Sequence, residues 1–236
     1  MLKNLARIIS ILLFASSVLV FGGEVAAQTS QVVFTENADQ GPNGDGQTSA
    51  KSANDYAFEK FSPALRNFID QVYTGQQNLI TGIYVDQSIA LDVLQQPSNE
   101  PGYIANSQDS VTEFRMARDY GTIGLLAHNY LAGNLFFQLQ EGQVIYLVFG
   151  DGTVHTYTIV DILSYQALQP TSPYSNFVNL QNADDYLSAA DLFYKVYGQE
   201  DALVLQTCIA NQGIESWGRL FIVAIPGVFP VASGPM

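Results

Sequence analysis

The stretch QVIYLVFGDGTVHTYTIVDIL (residues 143–163) decides the fold class, because it holds two β-strand patterns joined by a tight turn. Valine, isoleucine, threonine and tyrosine fill both halves, and these residue types favour strands. The Gly150-Asp151-Gly152 triplet between the halves supplies the backbone freedom that a short hairpin turn needs. We therefore predict an antiparallel hairpin here.

Other short apolar runs indicate that strands make up most of the folded chain. Loops, and not regularly alternating helices, separate these runs, so we predict an all-β protein, either a barrel or a sandwich. The remaining strand candidates are GIYVDQSIALDVL (82–94), GTIGLLAHN (121–129), DALVLQTCIA (201–210) and RLFIVAI (219–225).

Two segments have the sequence features of helices. The first is residues 61–75, where Ser62 suits the N-cap, Pro63 the first helical position and Gly75 the stop. Its apolar residues fall on one face, so the helix should pack against the sheet. The second predicted helix is residues 184–198. The apolar face of the first helix consists of Leu65, Phe68, Ile69 and Val72.

The N-terminal segment, residues 1–27, indicates export. Lys3 and Arg7 precede an apolar stretch at residues 8–21, and small side chains suit cleavage after Ala27. A retained membrane anchor is the alternative, although the apolar stretch is shorter than the ~20 residues that a spanning helix prefers. Both interpretations place the rest of the chain outside the cytoplasm, either secreted or tethered to the cell membrane.

Composition limits the organisation and the partners. Residues 28–55 are polar and rich in small side chains, which predicts a flexible stalk before a folded domain at residues 56–236. The net charge of −13 excludes nucleic acid as a partner, because phosphate binding needs clustered Lys and Arg. We expect contact with a membrane only through the N-terminal segment.

Metal sites find little support in the sequence. One cysteine and two histidines cannot supply the four ligands of a structural zinc site. Calcium held by loop carboxylates is compatible with 22 acidic residues, but no stretch matches a twelve-residue calcium-binding loop. We expect no metal and no cofactor.

The only cysteine, Cys208, is notable because exported proteins usually pair their cysteines. One interpretation is an inert thiol inside a core strand. The other is a reactive thiol, since Gln206 and Thr207 mark the polar end of a strand. Arg219 supports the second interpretation, because an arginine that opens an apolar run is costly unless it is paired or used.

Two histidines are available to act with this thiol. His128 ends the buried run 121–129, whereas His155 alternates with apolar residues and is assigned to a solvated strand face. An imidazole can activate the thiol of Cys208 and then protonate a leaving amine. The guanidinium of Arg219 can stabilise an oxyanion or hold a substrate backbone. Together these groups suit acyl transfer through a thioester.

Three segments resemble the sortases, the surface cysteine transpeptidases of bacteria. Residues 205–208 (LQTC) match their Leu-x-Thr-Cys signature, residues 124–129 are similar to the strand that ends in their active histidine, and residues 219–224 are similar to their arginine-led strand. Cys208 follows His128 by 80 residues, which implies an extended intervening loop. The likeness covers roughly residues 79–225.

The resemblance implies a mostly antiparallel eight-stranded β-barrel with a few short helices. It implies that Cys208 attacks a Thr-Gly-type bond in the sorting signal of another exported protein. An amine on the cell envelope or on a pilin would then resolve the thioacyl intermediate. His128 is implied as the acid and base, Arg219 as the substrate and oxyanion clamp, and Thr207 as a substrate-binding hydroxyl beside the nucleophile.

Two other functions stay open at this point. The same thioester chemistry with water as the acceptor would give a cysteine endopeptidase. A sortase-like barrel with an inert Cys208 would instead bind a peptide as a non-catalytic surface module.

Overall fold

The computed structural model of the chain describes residues 60–172 and 174–227. The predicted signal peptide or membrane anchor (1–27) and the stalk (28–55) lie outside the described residues and stay predictions. Within the described ranges, no helix is long and apolar enough to cross a membrane.

Strands dominate the described part of the chain, as the sequence predicts. They are accompanied by three α-helices and one 3₁₀-helix in these residues. In chain order the elements are α1 (Pro63–Val72), β1 (Ile80–Val85), β2 (Ile89–Gln95), β3 (Ser110–Glu113), α2 (Arg115–Arg118), β4 (Ile123–Leu126), the 3₁₀-helix η1 (Ala132–Gln138), β5 (Val144–Phe149), β6 (Val154–Ala167), β7 (Phe177–Asn179), β8 (Tyr186–Leu187), α3 (Ala189–Tyr197), β9 (Leu203–Asn211) and β10 (Ile214–Pro226).

Eight strands close into a barrel. They are hydrogen-bonded in the order β10-β9-β4-β3-β2-β1-β5-β6, and pairing of β6 with β10 completes the ring. β2–β3 and β4–β9 are the parallel pairs of this ring, and its other neighbours are antiparallel. β7 and β8 extend the sheet from β6. The predicted mostly antiparallel eight-stranded barrel is therefore confirmed.

The hairpin predicted at residues 143–163 is confirmed as β5 and β6. Gly152 adopts a φ of +84°, a backbone conformation that costs glycine little. Its amide donates to the carbonyl of Phe149 at 2.9 Å, and the Phe149 amide donates to the carbonyl of Thr153 at 2.8 Å. β6 then continues to Ala167, because its second half pairs with β10 on one side and β7 on the other.

The first predicted helix is confirmed in its capping and in its buried face. The Ser62 hydroxyl accepts from the Leu65 amide at 3.2 Å, and Pro63 begins the helix. The second prediction, residues 184–198, is wrong at its start. There the helix begins at Ala189, because Ser188 caps it by accepting from the Asp191 amide, whereas residues 186–187 pair with β7 as a short strand.

Two hydrophobic cores lie on the two faces of the barrel wall. Leu203 and Leu205 of β9 belong to the core inside the barrel. Val204 and Cys208 of the same strand belong to a second core on the outer face, where they pack with buried residues of α3. This alternation follows from the two-residue period of a strand. The nucleophile candidate therefore lies on the outer face, under the connection between β6 and β9. The α3 residues of that second core are Ala189, Leu192, Phe193, Val196 and Tyr197.

We expect Gly82→Ala to lower the free energy of unfolding by about 1–3 kcal/mol, the usual range for overpacking a core. A methyl group at Gly82 would lie 2.8 Å from two ring carbons of Phe68, which would force α1 away from β1. Chemical denaturation measures the change. Gly102→Ala is the matched control, since nothing lies within 4 Å of an added methyl there. Equal stability of the two variants would contradict the packing of α1 on β1.

Candidate active site

The cysteine and the arginine singled out in the sequence are direct neighbours in the sheet. Cys208 of β9 and Arg219 of β10 are paired in the antiparallel register. Residues paired in this way direct their side chains to the same face. Both side chains are buried, with 3% of Cys208 and 1% of Arg219 exposed. The thiol and the guanidinium therefore share one poorly solvated region.

The strand register also brings His128 to the level of Cys208. β4 runs parallel to β9, with Ile123 paired to Leu203 and Leu126 paired to Gln206. The Ala127 amide continues this ladder by donating to the Gln206 carbonyl at 3.1 Å. One further step along both strands reaches His128 and Cys208. The 80-residue spacing seen in the sequence is thus the register offset between β4 and β9.

Alternation along β4 directs His128 to the outer face, where Cys208 lies. Leu125 and Ala127 belong to the core inside the barrel, and Leu126 belongs to the outer core. The next side chain, His128, therefore follows Leu126 outward. β9 and β10 carry the candidate cysteine and arginine, and the candidate histidine lies two residues past the end of the neighbouring β4.

Arg219 is anchored to the hairpin that joins β9 and β10. Its Nη1 donates to the carbonyls of Ser216 and Gly218, each at 2.8 Å. The pairing shifts register between Ile214 and Gly218, and such a bulge leaves carbonyls free from the ladder. Burial lowers the pKa of Arg219, while the neighbouring Cys208 raises it. The guanidinium is a positive charge held in place by backbone contacts.

The thiol of Cys208 is harder to ionise than an ordinary cysteine. Burial raises its pKa, the charge of Arg219 lowers it and the charge of Glu215 raises it. Burial has the largest effect of the three, so the resting group at neutral pH is a thiol. A base is needed to take its proton before or during attack.

His128 is available as that base. The residue is half-buried, and burial lowers the pKa of its imidazole, which is therefore neutral at neutral pH. The ring stacks on Tyr130, with 5.1 Å between ring centroids and 21° between ring planes. This stacking restricts the orientation of the imidazole. General-base activation requires a neutral imidazole and an un-ionised thiol, and these are the resting states of His128 and Cys208.

Asn129 and Glu215 border the site, and the sequence did not indicate either residue. The Asn129 side-chain amide donates to the backbone carbonyl of Glu215 at 3.3 Å and to its Oε2 at 3.2 Å. This contact joins the segment after β4 to the hairpin after β9. The position of Asn129 directly after His128 is the one sequence feature that could have pointed to it. Nothing in the sequence spacing connects Asn129 with Glu215.

Thr207 faces away from the thiol of Cys208. Its side chain is fully buried, and its hydroxyl donates to the Ala127 carbonyl at 2.9 Å. Gly133 approaches so closely that an added methyl would lie 2.3 Å from the Thr207 Oγ1. Thr207 therefore ties β9 to β4 and to η1. Its role in substrate binding stays a prediction.

His155 lies away from the three candidate residues. It is exposed and packs against Phe149, with 4.7 Å between ring centroids, so its assignment to the solvated face of a strand is confirmed. In residues 60–172 and 174–227, no group of three or more His, Cys, Asp or Glu is arranged to hold a metal ion.

Comparison with known proteins gives structural likeness alone. No protein-family model matches the chain. No curated protein matches it either. The similar solved structures include sortase A from Listeria monocytogenes, with 16% identity, a TM-score of 0.41 and coverage of 64% of this chain and 88% of that one. Sortase C-1 from Actinomyces oris has 12% identity and a TM-score of 0.43, covering 72% of this chain and 82% of its own.

Sortase A from Corynebacterium diphtheriae is similar at 13% identity and a TM-score of 0.43, with 74% of this chain and 73% of its own covered. All three structures are sortases. With TM-scores below 0.5, the likeness has no bearing on the site.

We expect the pKa of Cys208 to respond in opposite directions to its two charged neighbours. Arg219→Gln removes a positive charge and should raise the pKa of the thiol further, whereas Glu215→Gln removes a negative charge and should lower it. Thiolate absorbance against pH measures both shifts, after subtraction of the same titration of Cys208→Ala, which removes the contribution of the 13 tyrosines. Shifts of the same sign, or a wild-type pKa below that of an ordinary cysteine, would contradict this arrangement of charges.

Proposed function

We propose that this chain is a sortase-type cysteine transpeptidase, acting outside the cytoplasm on a sorting signal of exported proteins. The observation that supports the proposal is the pairing of Cys208 with Arg219, together with the β4–β9 register, which reaches His128 opposite Cys208 when it is continued two residues past β4. Nucleophile, base and cation are the three groups that acyl transfer through a thioester needs. The low-identity likeness to sortases is consistent with the proposal but does not carry it.

The first half-reaction forms a thioacyl intermediate. The neutral imidazole of His128 takes the proton of the Cys208 thiol as the sulfur attacks the carbonyl carbon of the scissile peptide bond. The charge of Arg219 stabilises the oxyanion that develops on the carbonyl oxygen. The carbon–nitrogen bond then breaks, and the imidazolium of His128 protonates the leaving amine.

The second half-reaction transfers the acyl group to an amine on the cell envelope or on a pilin. The amine nitrogen attacks the thioester carbonyl, a new carbon–nitrogen bond forms and the carbon–sulfur bond breaks. His128, neutral after the first step, accepts the proton that the amine loses and returns it to the sulfur of Cys208. Water as the acceptor would instead release the acid, as in a cysteine endopeptidase.

A non-catalytic, peptide-binding barrel is the second candidate, and one observation favours it. Cys208 is buried, and its raised pKa is the property of an inert core thiol. Catalysis requires the substrate to reach this buried thiol, whereas peptide binding by a non-catalytic module requires no access to the thiol.

Mass spectrometry of the intact protein distinguishes these candidates. With a panel of sorting-signal peptides, we expect wild type to gain the mass of an acyl group and Cys208→Ala to gain none. His128→Gln should slow adduct formation by about 10²–10⁴-fold, the usual contribution of a general acid or base. Added amine should convert the adduct to a peptide product. No adduct with any peptide would favour the binding module, and release to acid regardless of amine would favour the endopeptidase.

The fall in the rate of adduct formation at acid pH should follow protonation of His128. Because burial lowers the pKa of His128, its neutral form persists to lower pH than that of an ordinary histidine. Adduct formation should therefore be retained near pH 6.5 and lost as pH falls through the lowered pKa. The measurement is the rate of adduct formation against pH. An acid limb at or above the ordinary histidine pKa, or the same limb in His128→Gln, would contradict His128 as the base.

A further inference from the structure

Glu215 carries a negative charge at the border of the candidate site. It is the second residue of β10, in the bulged part of the hairpin, and its side chain is exposed. Its Oε2 accepts from the side-chain amide of Asn129, an uncharged donor, so this contact leaves the negative charge uncompensated. The carboxylate is therefore fixed in direction and remains available to a cation.

The contact with Asn129 also fixes where this charge lies. Asn129 follows His128 at the end of β4, and Glu215 belongs to β10, so their bond spans the intervening strand β9. Cys208 is on that strand, near its carboxyl-terminal end. The charge of Glu215 reaches the thiol, since it is one cause of the raised pKa of Cys208. The carboxylate thus contacts the residue after His128, and it lies four residues before Arg219, the partner of Cys208 in the sheet.

A carboxylate in this place is unfavourable for the first half-reaction. It opposes ionisation of Cys208, while Arg219 favours it. The same carboxylate attracts a cation that must approach the sulfur of Cys208. An amine acceptor is such a cation at neutral pH, because α-amino groups have pKa values of about 7.7–8.0 and lysine side chains of about 10.4.

We propose that Glu215, held in place by Asn129, docks the protonated amine of the acceptor. This inference rests on the proposed transpeptidase function and adds to it the residue that holds the acceptor. Docking concentrates the ammonium beside the thioester. The ammonium first loses one proton to solvent, which gives the neutral amine. As the amine nitrogen attacks the thioester carbonyl, its second proton passes to neutral His128, and the carbon–sulfur bond of Cys208 breaks with return of that proton to sulfur. The acyl group moves from sulfur to nitrogen, and no oxidant or cofactor is required.

The test measures how the thioacyl enzyme partitions between an amine and water. Glycinamide is the cationic probe, and hydroxylamine, which is uncharged at neutral pH, is the neutral probe. With Glu215→Gln, the glycinamide concentration that gives half-maximal amide product should rise about two- to five-fold, as expected for loss of one exposed ion pair. The hydroxylamine dependence should not change. In wild type, added salt should weaken glycinamide use and spare hydroxylamine, because salt screens exposed charges.

Glu200→Gln is the matched control. It removes the same charge from the loop before β9, whereas Cys208 lies near the other end of that strand. We expect its partitioning to equal that of wild type. In Glu215→Gln the side-chain carbonyl oxygen can still accept from Asn129, so the hairpin should keep its fold, and adduct formation should not fall.

The outcomes separate this inference from the proposed function. If wild type forms no acyl adduct, the transpeptidase proposal fails before Glu215 is tested. If adducts form and Glu215→Gln uses glycinamide as well as wild type does, the acceptor inference is overturned and the transpeptidase proposal stands. Equal losses in Glu215→Gln and Glu200→Gln would also overturn it, because the effect would then come from net charge and not from position. Loss of glycinamide use in Glu215→Gln alone, with hydroxylamine unaffected, supports it.

Discussion

The parallel pairing of β4 with β9 is the constraint on which the candidate site depends. A one-residue slip of this register would direct His128 into the barrel and away from Cys208. The pairing is reinforced beyond the ladder, since the Thr207 hydroxyl donates to the Ala127 carbonyl. Gly133 lies against that hydroxyl, where any larger residue would collide. Contacts of Thr207 on the inner face of the barrel wall thus stabilise the register that sets the positions of side chains on the outer face.

Burial gives this site a particular protonation state. It raises the pKa of Cys208 and lowers that of His128, so the pair rests as a thiol and an imidazole and not as an ion pair. Arg219 opposes the effect on the thiol, but its own charge is also buried and is stabilised by carbonyls of the hairpin. Charge is therefore created in this region when the thiol loses its proton, beside a cation already in place.

Much of the fold follows from local sequence signals. The Gly150-Asp151-Gly152 hairpin and the Ser62 cap are each encoded by a few consecutive residues, and both are confirmed. The sequence predicts too early a start for α3, because residues 186–187 satisfy a helical pattern locally. They pair instead with β7, a tertiary contact that no local signal reports. Closure of the barrel through β6 and β10 is likewise a long-range pairing. The strand pattern leaves a barrel and a sandwich open, and the resemblance implies the eight-stranded barrel that this pairing closes.

The site divides in the same way. Cys208, His128 and Arg219 were identified because strand ends, a lone thiol and a costly arginine are visible in the sequence. The sequence does not indicate Asn129 and Glu215. Their contact depends on the bulge in β10 and on the position of β4 and β10 on either side of β9. The direction of the Thr207 hydroxyl could not be predicted, because it depends on which face of β9 carries Cys208. Residue type suggested the chemistry, and register supplied the arrangement.

The central claim, that register places His128 beside Cys208, can be measured by cross-linking. His128→Cys gives the chain a second cysteine, and neighbouring strands allow the Cα separation of about 4.4–6.8 Å that a disulfide requires. Mild oxidation followed by mass spectrometry should show an intramolecular disulfide with the loss of two hydrogens. Leu126→Cys, two residues earlier on the same face, should remain unbridged. Free thiols in His128→Cys, or a disulfide in Leu126→Cys instead, would contradict the register and the site built on it.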